Sequence, residues 1–320
     1  MCIRDRFVVF TSETSSGPGL PRVFILDRCI STFDPVYPGC EPFLDRVSNS
    51  AGGGEPDGDS DFGAVSRNGR FVAFRSSGSD ILGSGEDGNG ANDVFLYDSC
   101  IDPATGVNFP NCAFRKTERI NLTPLGAESA GDDPDDLLTN VAVSDDGRYV
   151  AFTSTASDLV ASGTDTNGKR DVFVHDRCVD LNGVVSGCTP GNERVNVGPN
   201  GSESNGNIPG GRAIGMSANG RIVVFASNAT NLLGPAVGAP EVYQIFMRDR
   251  CLDKGVPIDG CTPATTLVSA APDKGLGTGS SSLPAIAASG STTAFVSDAP
   301  NLLGTGVDAN NLNDVFVRDR

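Results

Sequence analysis

Three short acidic loops carry the residue types and spacing best suited to holding a metal ion. They read "DGNGAND", "DTNGKRD" and "DANNLND", and oxygen-bearing side chains stand at relative positions 1, 3 and 7 of each. Carboxylate and amide oxygens in a loop that contains Gly or Asn resemble the first half of known calcium loops. The predicted calcium ligands are Asp87, Asn89, Asp93, Asp165, Asn167, Asp171, Asp308, Asn310 and Asp314. The alternative is Asx-turn chemistry, in which these side chains satisfy their own backbone.

An aspartate also stands at position 12 of each loop, but it is not counted as a ligand. Positions 7 to 12 form an extended strand, and five residues at roughly 3.3 Å each carry the carboxylate too far from an ion in the loop. The same aspartate recurs in two units whose loops lack the acids. We therefore predict that it accepts hydrogen bonds from loop backbone at the strand end. The five positions are Asp27, Asp98, Asp176, Asp249 and Asp319.

Catalytic chemistry finds little support in the residues. No GxSxG elbow is present, and a Ser-His-Asp triad would have to use His175, the single histidine. His175 alternates with Val172 and Val174 along one apolar stretch, which predicts an ordinary strand residue. The 40 acidic residues include many pairs that a glycosidase could use, but no unit isolates one of them. No catalytic residue is predicted, and calcium is the only cofactor considered.

The cysteines fall into pairs that bracket the same short segment of each repeat. With Cys2 set aside, eight remain, and the predicted pairs are Cys29 with Cys40, Cys100 with Cys112, Cys178 with Cys188, and Cys251 with Cys261. Zinc sites and free thiols are the alternatives. No CxxC motif occurs, and a mixed Cys/His site would have to rely on the one histidine. Four regular pairs predict disulfides and therefore an exported protein in an oxidising compartment.

Repeated phrases show which elements position these residues. "RDVFVHDRC" has close relatives in "RVFILDRC", "NDVFLYDSC", "YQIFMRDRC" and "NDVFVRDR", and each follows a phrase such as "SDDGRYVAFTS" or "SRNGRFVAFRS". The turn glycines of the second phrase are nearly evenly spaced, which indicates a repeat protein. We place the repeat units at residues 7–69, 70–147, 148–220, 221–290 and 291–320, all in one incomplete domain.

Each unit is predicted to contain four strands joined by polar turns. Asp-Gly and Asn-Gly between apolar runs are strong hairpin signals. Phe recurs once in each of the two central strands with apolar neighbours on both sides, so both sheet faces should be buried. Radial stacking of such sheets in a β-propeller provides a neighbour for each face. A linear stack would do the same but would need polar caps at its ends.

These phrases resemble a known family. "VSDDGRYVAFTS" followed by "DVFVHDR" is similar to the TolB-like β-propeller repeats, WD40-like repeats of bacterial exported proteins, and the resemblance runs from Phe7 to the end. It implies an all-β fold of four-stranded antiparallel blades, of which about four and a half are present. The family includes interaction scaffolds, sugar-active enzymes and propellers that precede peptidase domains.

The net charge and the length of the apolar runs limit the kinds of partner that the chain can bind. A net charge of −16 disfavours nucleic acid and anionic lipid, and no apolar run reaches the roughly 18 residues of a membrane span. We expect a monomeric, non-catalytic scaffold in the bacterial periplasm, cell envelope or medium that binds a protein or glycan through its loops. The alternatives are a carbohydrate-active propeller enzyme, or the propeller part of a longer prolyl-oligopeptidase-like peptidase.

The first six residues, "MCIRDR", are set apart from the fold. They reverse-translate into a sequence that resembles the transposon end used in sequencing-library preparation. We therefore treat residues 1–6 as an artefact and the chain as a fragment at both ends.

Overall fold

The computed structural model describes residues 6–13, 19–30, 40–102, 107–108, 112, 114–130, 140–234, 242–304, 306–308, 310 and 312–320. These residues are almost entirely strand and loop, with one 3-10 turn at Pro199–Gly201. Within the described ranges, no helix is long and apolar enough to cross a membrane.

Five antiparallel sheets follow one another along the chain, and we number them as blades 1 to 5. Blade 1 contains β1 (Phe7–Glu13), β2 (Pro21–Asp27) and β3 (Phe43–Arg46). Blade 2 contains β4 (Ser60–Val65), β5 (Phe71–Ser76), β6 (Asp93–Asp98) and, after the hairpin β7 (Ile101–Asp102) and β8 (Val107–Asn108), β9 (Lys116–Arg119). Blade 3 contains β10 (Val141–Val143), β11 (Tyr149–Ser154), β12 (Asp171–Asp176) and, after the hairpin β13 (Val179–Asp180) and β14 (Gly183–Val184), β15 (Gly191–Arg194).

The last two blades repeat this order. Blade 4 contains β16 (Ile214–Met216), β17 (Ile222–Ser227), β18 (Gln244–Asp249) and, after the hairpin β19 (Leu252–Asp253) and β20 (Val256–Pro257), β21 (Ala264–Leu267). Blade 5 contains β22 (Ser281–Ile286), β23 (Thr292–Ser297) and β24 (Asp314–Asp319). In blades 2 to 5 the first strand lies before the turn glycine, whereas the repeat units predicted from the sequence end at that glycine. The sheets are therefore shifted by one strand relative to those units.

The two central strands of every blade pair their phenylalanines across the sheet. Phe152 lies opposite Phe173 in blade 3, and the equivalent rings stack at 5.6–5.9 Å between centroids in all five blades. Every residue of β5, β11 and β17 is buried. Both faces of the central strands are therefore covered in blades 2 to 4, as the sequence predicts, whereas blades 1 and 5 expose apolar strand residues such as Phe10, Val315 and Val317.

Consecutive blades pack face to face through their first strands. β4 lies against β1 and β2, β10 against β4 and β5, β16 against β10 and β11, and β22 against β16, β17 and β18. The turn glycine of one blade sits on an apolar side chain of the blade before it. Gly220 has φ +71°, and a Cβ there would lie 2.3 Å from the Tyr149 ring. The predicted all-β fold of antiparallel propeller blades is confirmed.

Candidate functional site

Each blade has two ends, and they differ in chemistry. We call one the cysteine end: it holds the turn glycine, the end of the third strand and the disulfide hairpin. We call the other the loop end: it holds the connection between the second and third strands and the connection to the next blade. In blade 3 the loop end comprises residues 154–171 and 194–213, and the cysteine end comprises residues 144–149 and 176–191.

The cysteine end confirms the predicted disulfides. Four bonds join Cys29 to Cys40, Cys100 to Cys112, Cys178 to Cys188, and Cys251 to Cys261, with Cα atoms 5.2–5.6 Å apart. The first cysteine of each pair has a positive φ of 53–58°. Its N–H donates to the repeated aspartate two residues earlier, at 2.8–2.9 Å. The predicted backbone-capping role of that aspartate is therefore confirmed in four blades.

An arginine that the sequence reasoning missed completes this end. In blades 2 to 4 it follows the turn glycine in "NGR" or "DGR", whereas its equivalent in blade 1 follows no glycine. Its guanidinium donates two hydrogen bonds of 2.7–2.9 Å to the repeated aspartate. The pairs are Arg6–Asp27, Arg70–Asp98, Arg148–Asp176 and Arg221–Asp249. Arg6, assigned at first to the artefact, thus makes the contact of the repeat, whereas residues 1–5 lie outside the described ranges. The recurrence of Arg after the turn glycine was the available signal.

Hydrogen bonds and charge keep Asp249, the repeated aspartate of blade 4, ionised. Burial raises the pKa of Asp249, but hydrogen bonds from Arg221 and from the Cys251 N–H, together with the charge of Arg320, hold it at about 2. A second arginine, directly after the aspartate, ties neighbouring blades together. Arg250 donates to Glu193 of blade 3 at 2.8 Å and to the Gly220 carbonyl at 2.7 Å. The cysteine end is thus a repeated network of structural contacts.

His175 also has a structural role. Its side chain is buried in β12, and Nδ1 shares a hydrogen bond of 2.8 Å with Asn192 Oδ1. Burial lowers its pKa, so the ring is neutral at pH 7. It packs as a strand residue.

The loop ends of blades 2 and 3 bring the predicted acids together with partners that the prediction lacked. In blade 3, the Arg194 guanidinium lies 2.8 Å from Glu203, 3.1 Å from Asp171 and 3.5 Å from Asp165. Blade 2 has the same arrangement, with Arg119 2.9 Å from Asp93 and 2.8 Å from Glu128. Oxygen atoms of Asp87, Asp93 and Glu128 all lie within 4.8 Å of one another. Each group therefore holds three carboxylates and one arginine, and we call the two groups the carboxylate trios.

The asparagines organise the loops. Asn89 and Asn167 donate at 2.9 Å to the carbonyls of Ser129 and Ser204. Their Oδ1 atoms accept the N–H groups of Ala91 and Lys169 at 2.6 Å. The Asx turns of the alternative interpretation are present, and calcium binding stays a prediction. In blade 5, Asp308 accepts the N–H of Asn310, and Asn310 accepts that of Leu312, while Asp314 begins β24.

The carboxylate trios carry more negative charge than one guanidinium compensates. Burial, with Asp171 as the next cause, raises the pKa of Asp165 to about 6. Burial also raises the pKa of Asp93 to about 6, with Glu128 and Asp87 adding to the effect. A cation placed against these oxygens would relieve the repulsion. The glutamates were missed, although both stand in an "ES" pair in the connection to the next blade.

In blade 4, uncharged residues replace the strand aspartate, the arginine and the glutamate of the carboxylate trio. Gln244 replaces the strand aspartate, and Leu267 replaces the arginine, since Leu267 pairs with Phe246 as Arg194 pairs with Phe173. Leu276 occurs where the connection of blade 3 has Glu203. A cavity of about 220 Å³ is found there, lined by Leu232, Leu233, Phe246 and Leu276 among others. The sequence reasoning missed this cavity.

The chain has distant likenesses among solved structures. No protein-family model matches the chain, and no curated protein matches it. Among solved structures, TolB from Acinetobacter baumannii is 11% identical with a TM-score of 0.42, and the match covers 98% of this chain and 49% of that one. Prolyl oligopeptidase B from Galerina marginata is 11% identical with a TM-score of 0.40 over 98% of this chain and 32% of its own. The tricorn protease is 14% identical with a TM-score of 0.40 over 92% and 22%.

The chain thus spans about half of that TolB and smaller shares of the two peptidases. TolB propellers are the family that the repeat phrases resemble. The blade architecture rests on the sheets and their packing described above.

Proposed function

We propose that this chain is an exported β-propeller that acts as a non-catalytic scaffold and binds its partner through the loop end. The difference between the two ends of the blades carries the proposal. At the cysteine end the same arginine, aspartate and disulfide recur in four blades. At the loop end blades 2 and 3 hold carboxylate trios, and blade 4 holds a cavity. A constant end suits the fold, whereas a varied end suits recognition.

Export is supported by the cysteines. Four disulfides, one in each of four consecutive blades, are typical of a protein that matures in an oxidising compartment. The bacterial periplasm, the cell envelope and the medium are such places. The resemblance of the repeats to exported TolB-like propellers agrees with this assignment.

Calcium binding at the carboxylate trios is the second part of the proposal. The ligands would be Asp87, Asp93 and Glu128 in blade 2, and Asp165, Asp171 and Glu203 in blade 3, because carboxylate oxygens are preferred by calcium. Millimolar calcium should then raise the melting temperature relative to a chelator, and Glu203→Gln should reduce the increase. A melting temperature indifferent to calcium and chelator would remove this part.

The scaffold proposal is tested by comparing exposed apolar residues at the two ends. Leu125 and Leu303 are exposed at the loop end, and Val184 and Val256 are exposed at the cysteine end. Proteins cross-linked to the chain in an extract of exported proteins would be identified by mass spectrometry. Leu125→Asp and Leu303→Asp should reduce their capture, and Val184→Asp and Val256→Asp should not. Equal capture by all four variants, or turnover of glycan or peptide substrates that a carboxylate substitution abolishes, would contradict the proposal.

A further inference from the structure

The break in blade 4 replaces an ionic cluster with an apolar cavity while the framework around it stays the same. Ser269 accepts the N–H of Ile245 at 3.0 Å, as Asn196 accepts the N–H of Val172 at 2.9 Å in blade 3. The strand register is also preserved. Gln244 and Leu276 line the cavity, and Leu267 occupies the register position of Arg194, so substituted side chains distinguish this position from its counterpart in blade 3.

The polar groups around this cavity already have partners. Gln244 Nε2 donates to the carbonyls of Gly277 and Gly279, and its Oε1 accepts the Ser269 hydroxyl. Thr278 donates to Asn301 at 3.1 Å. A sugar would leave its hydroxyl groups without partners here, and burying an unsatisfied hydroxyl is unfavourable. An apolar group has no hydrogen bonds to water to give up, so its burial in this cavity carries no such cost.

The size of the cavity indicates one side chain. Its volume of about 220 Å³ is below the range of about 300–1,000 Å³ found for small-molecule pockets. Leu233 at the rim is 37% exposed, and Leu303 in the next blade is 62% exposed. An apolar side chain presented by a longer ligand fits these dimensions.

A second depression of about 220 Å³ adjoins the first at Thr230, which lines both. Its other lining residues are Lys169, Asn205, Gly206, Asn207 and Asn228, so it is rich in amide groups. The two depressions are neighbours at the loop ends of blades 3 and 4, and we call them together the groove. Asn205 and Asn228 are already hydrogen-bonded inside these loops at 2.7–2.9 Å, so the second depression presents a fixed polar wall along which a peptide main chain can lie.

The carboxylate trio of blade 3 borders the polar half of the groove. The Glu203 carbonyl accepts Asn231 Nδ2 at 2.7 Å, and Asn231 Oδ1 accepts the N–H of Asn205 at 3.1 Å. The three acids outnumber Arg194 and Lys169, and the whole chain carries a net charge of −16. A ligand with a basic residue is therefore favoured over an acidic one.

We propose that this groove binds an extended peptide segment of a partner protein, with an apolar side chain in the blade 4 cavity and a basic residue toward the blade 3 carboxylates. The inference rests on the proposed scaffold function and names its ligand class. Burying one apolar side chain contributes about 1.5–3 kcal/mol, so the cavity accounts for about tenfold or more in affinity.

A variant that restores the repeat provides the test. Gln244→Asp, Leu267→Arg and Leu276→Glu together give blade 4 the residues that blade 3 accommodates. A phage-displayed library of random linear peptides would be selected on the wild-type protein, and an enriched peptide would be synthesised. We expect a consensus with an apolar residue near Lys or Arg, and a loss of about tenfold or more in affinity for the triple variant. Circular dichroism checks its folding, and Leu233→Asp, at the rim, is a second variant that should also weaken binding.

Two matched variants separate charge from shape. Glu203→Gln should lower the affinity for the peptide about threefold at low salt and much less at high salt. Val184→Asp, at the cysteine end, should leave the affinity unchanged. Undiminished binding to both the triple variant and Leu233→Asp would overturn the groove and leave the scaffold proposal standing. Failure to enrich any peptide would also overturn the groove, whereas the cross-linking comparison judges the scaffold function independently.

Discussion

Blades 3 and 4 have matching cysteine ends and contrasting loop ends. Arg148 and Asp176 in blade 3 match Arg221 and Asp249 in blade 4, with disulfides that span the same sequence separation of 10 residues. At the loop end, blade 3 has three acids around Arg194, whereas blade 4 has an apolar cavity. The same strand register therefore supports an ionic site in one blade and an apolar site in the next.

Breaking the cysteine end at the turn of blade 4 should have the largest effect. Gly220→Ala combines left-handed backbone strain with a Cβ placed 2.3 Å from the Tyr149 ring. We expect a loss of about 3–4 kcal/mol in the free energy of unfolding, measured in urea. Gly187→Ala is the matched control, because Gly187 has φ +74° but no atom within 4 Å of its Cβ position. Its expected cost is about 1 kcal/mol, and equal costs would refute the role of the turn glycine in blade packing.

The disulfides should contribute equally in the two blades. Cys178→Ser with Cys188→Ser, and Cys251→Ser with Cys261→Ser, each open a loop of the same length. Each double variant should lose about 3 kcal/mol on the chain-entropy account. Thermal unfolding with and without reductant, alongside a thiol count, checks this. One reactive thiol, from Cys2, is expected in the untreated protein, and nine would disprove the pairing.

Exposure should separate the two arginine–aspartate pairs. The Arg148 side chain is 4% exposed and also donates to the Lys254 carbonyl, whereas the Arg221 side chain is 27% exposed. Arg148→Met should therefore cost about 2 kcal/mol, and Arg221→Met about 1 kcal/mol, because water screens the second pair. The comparison uses urea unfolding at pH 7, and a larger loss for Arg221→Met would reverse the proposed ranking.

The carboxylate trio should give the loop end of blade 3 a pH response between about pH 4 and 6, and the loop end of blade 4 has no such trio. The pKa of Asp165 is raised to about 6 from 3.8, so the folded state takes up this proton before the unfolded state does. The contribution of this group to stability is fully present below 3.8 and is lost as the pH rises through about 6. Asp165→Asn should therefore gain stability relative to the wild type at pH 7 compared with pH 4, in the presence of a chelator. A difference that stays constant with pH would contradict the shift.

The sequence predicted the recurring strands and disulfides and missed several side-chain contacts and the cavity. Repeated phrases identified the strands, the paired Phe residues and the four disulfides, because each is set by local pattern or by cysteines close in the chain. Arg148 was missed because its partner Asp176 stands 28 residues further along the chain. Glu203 was missed because it and Arg194, 9 residues apart, are residue types that are usually solvated. The cavity was not predicted, because the sequence repeat draws attention to the residues that the units share. Gln244, Leu267 and Leu276 depart from the repeat at separate places in the sequence, and their common position is known only from the fold.

The central claim is that the cysteine end holds the fold and the loop end binds the partner. Amide hydrogen exchange of the full chain, with and without a peptide enriched on the wild-type protein, tests this most directly. The account predicts slow exchange at the amides of Cys100, Cys178 and Cys251 in both states, because each is held by its aspartate. Added protection on binding should be confined to residues 164–171, 203–207, 228–234 and 276–279. Protection that appears instead at the disulfide hairpins would contradict the account.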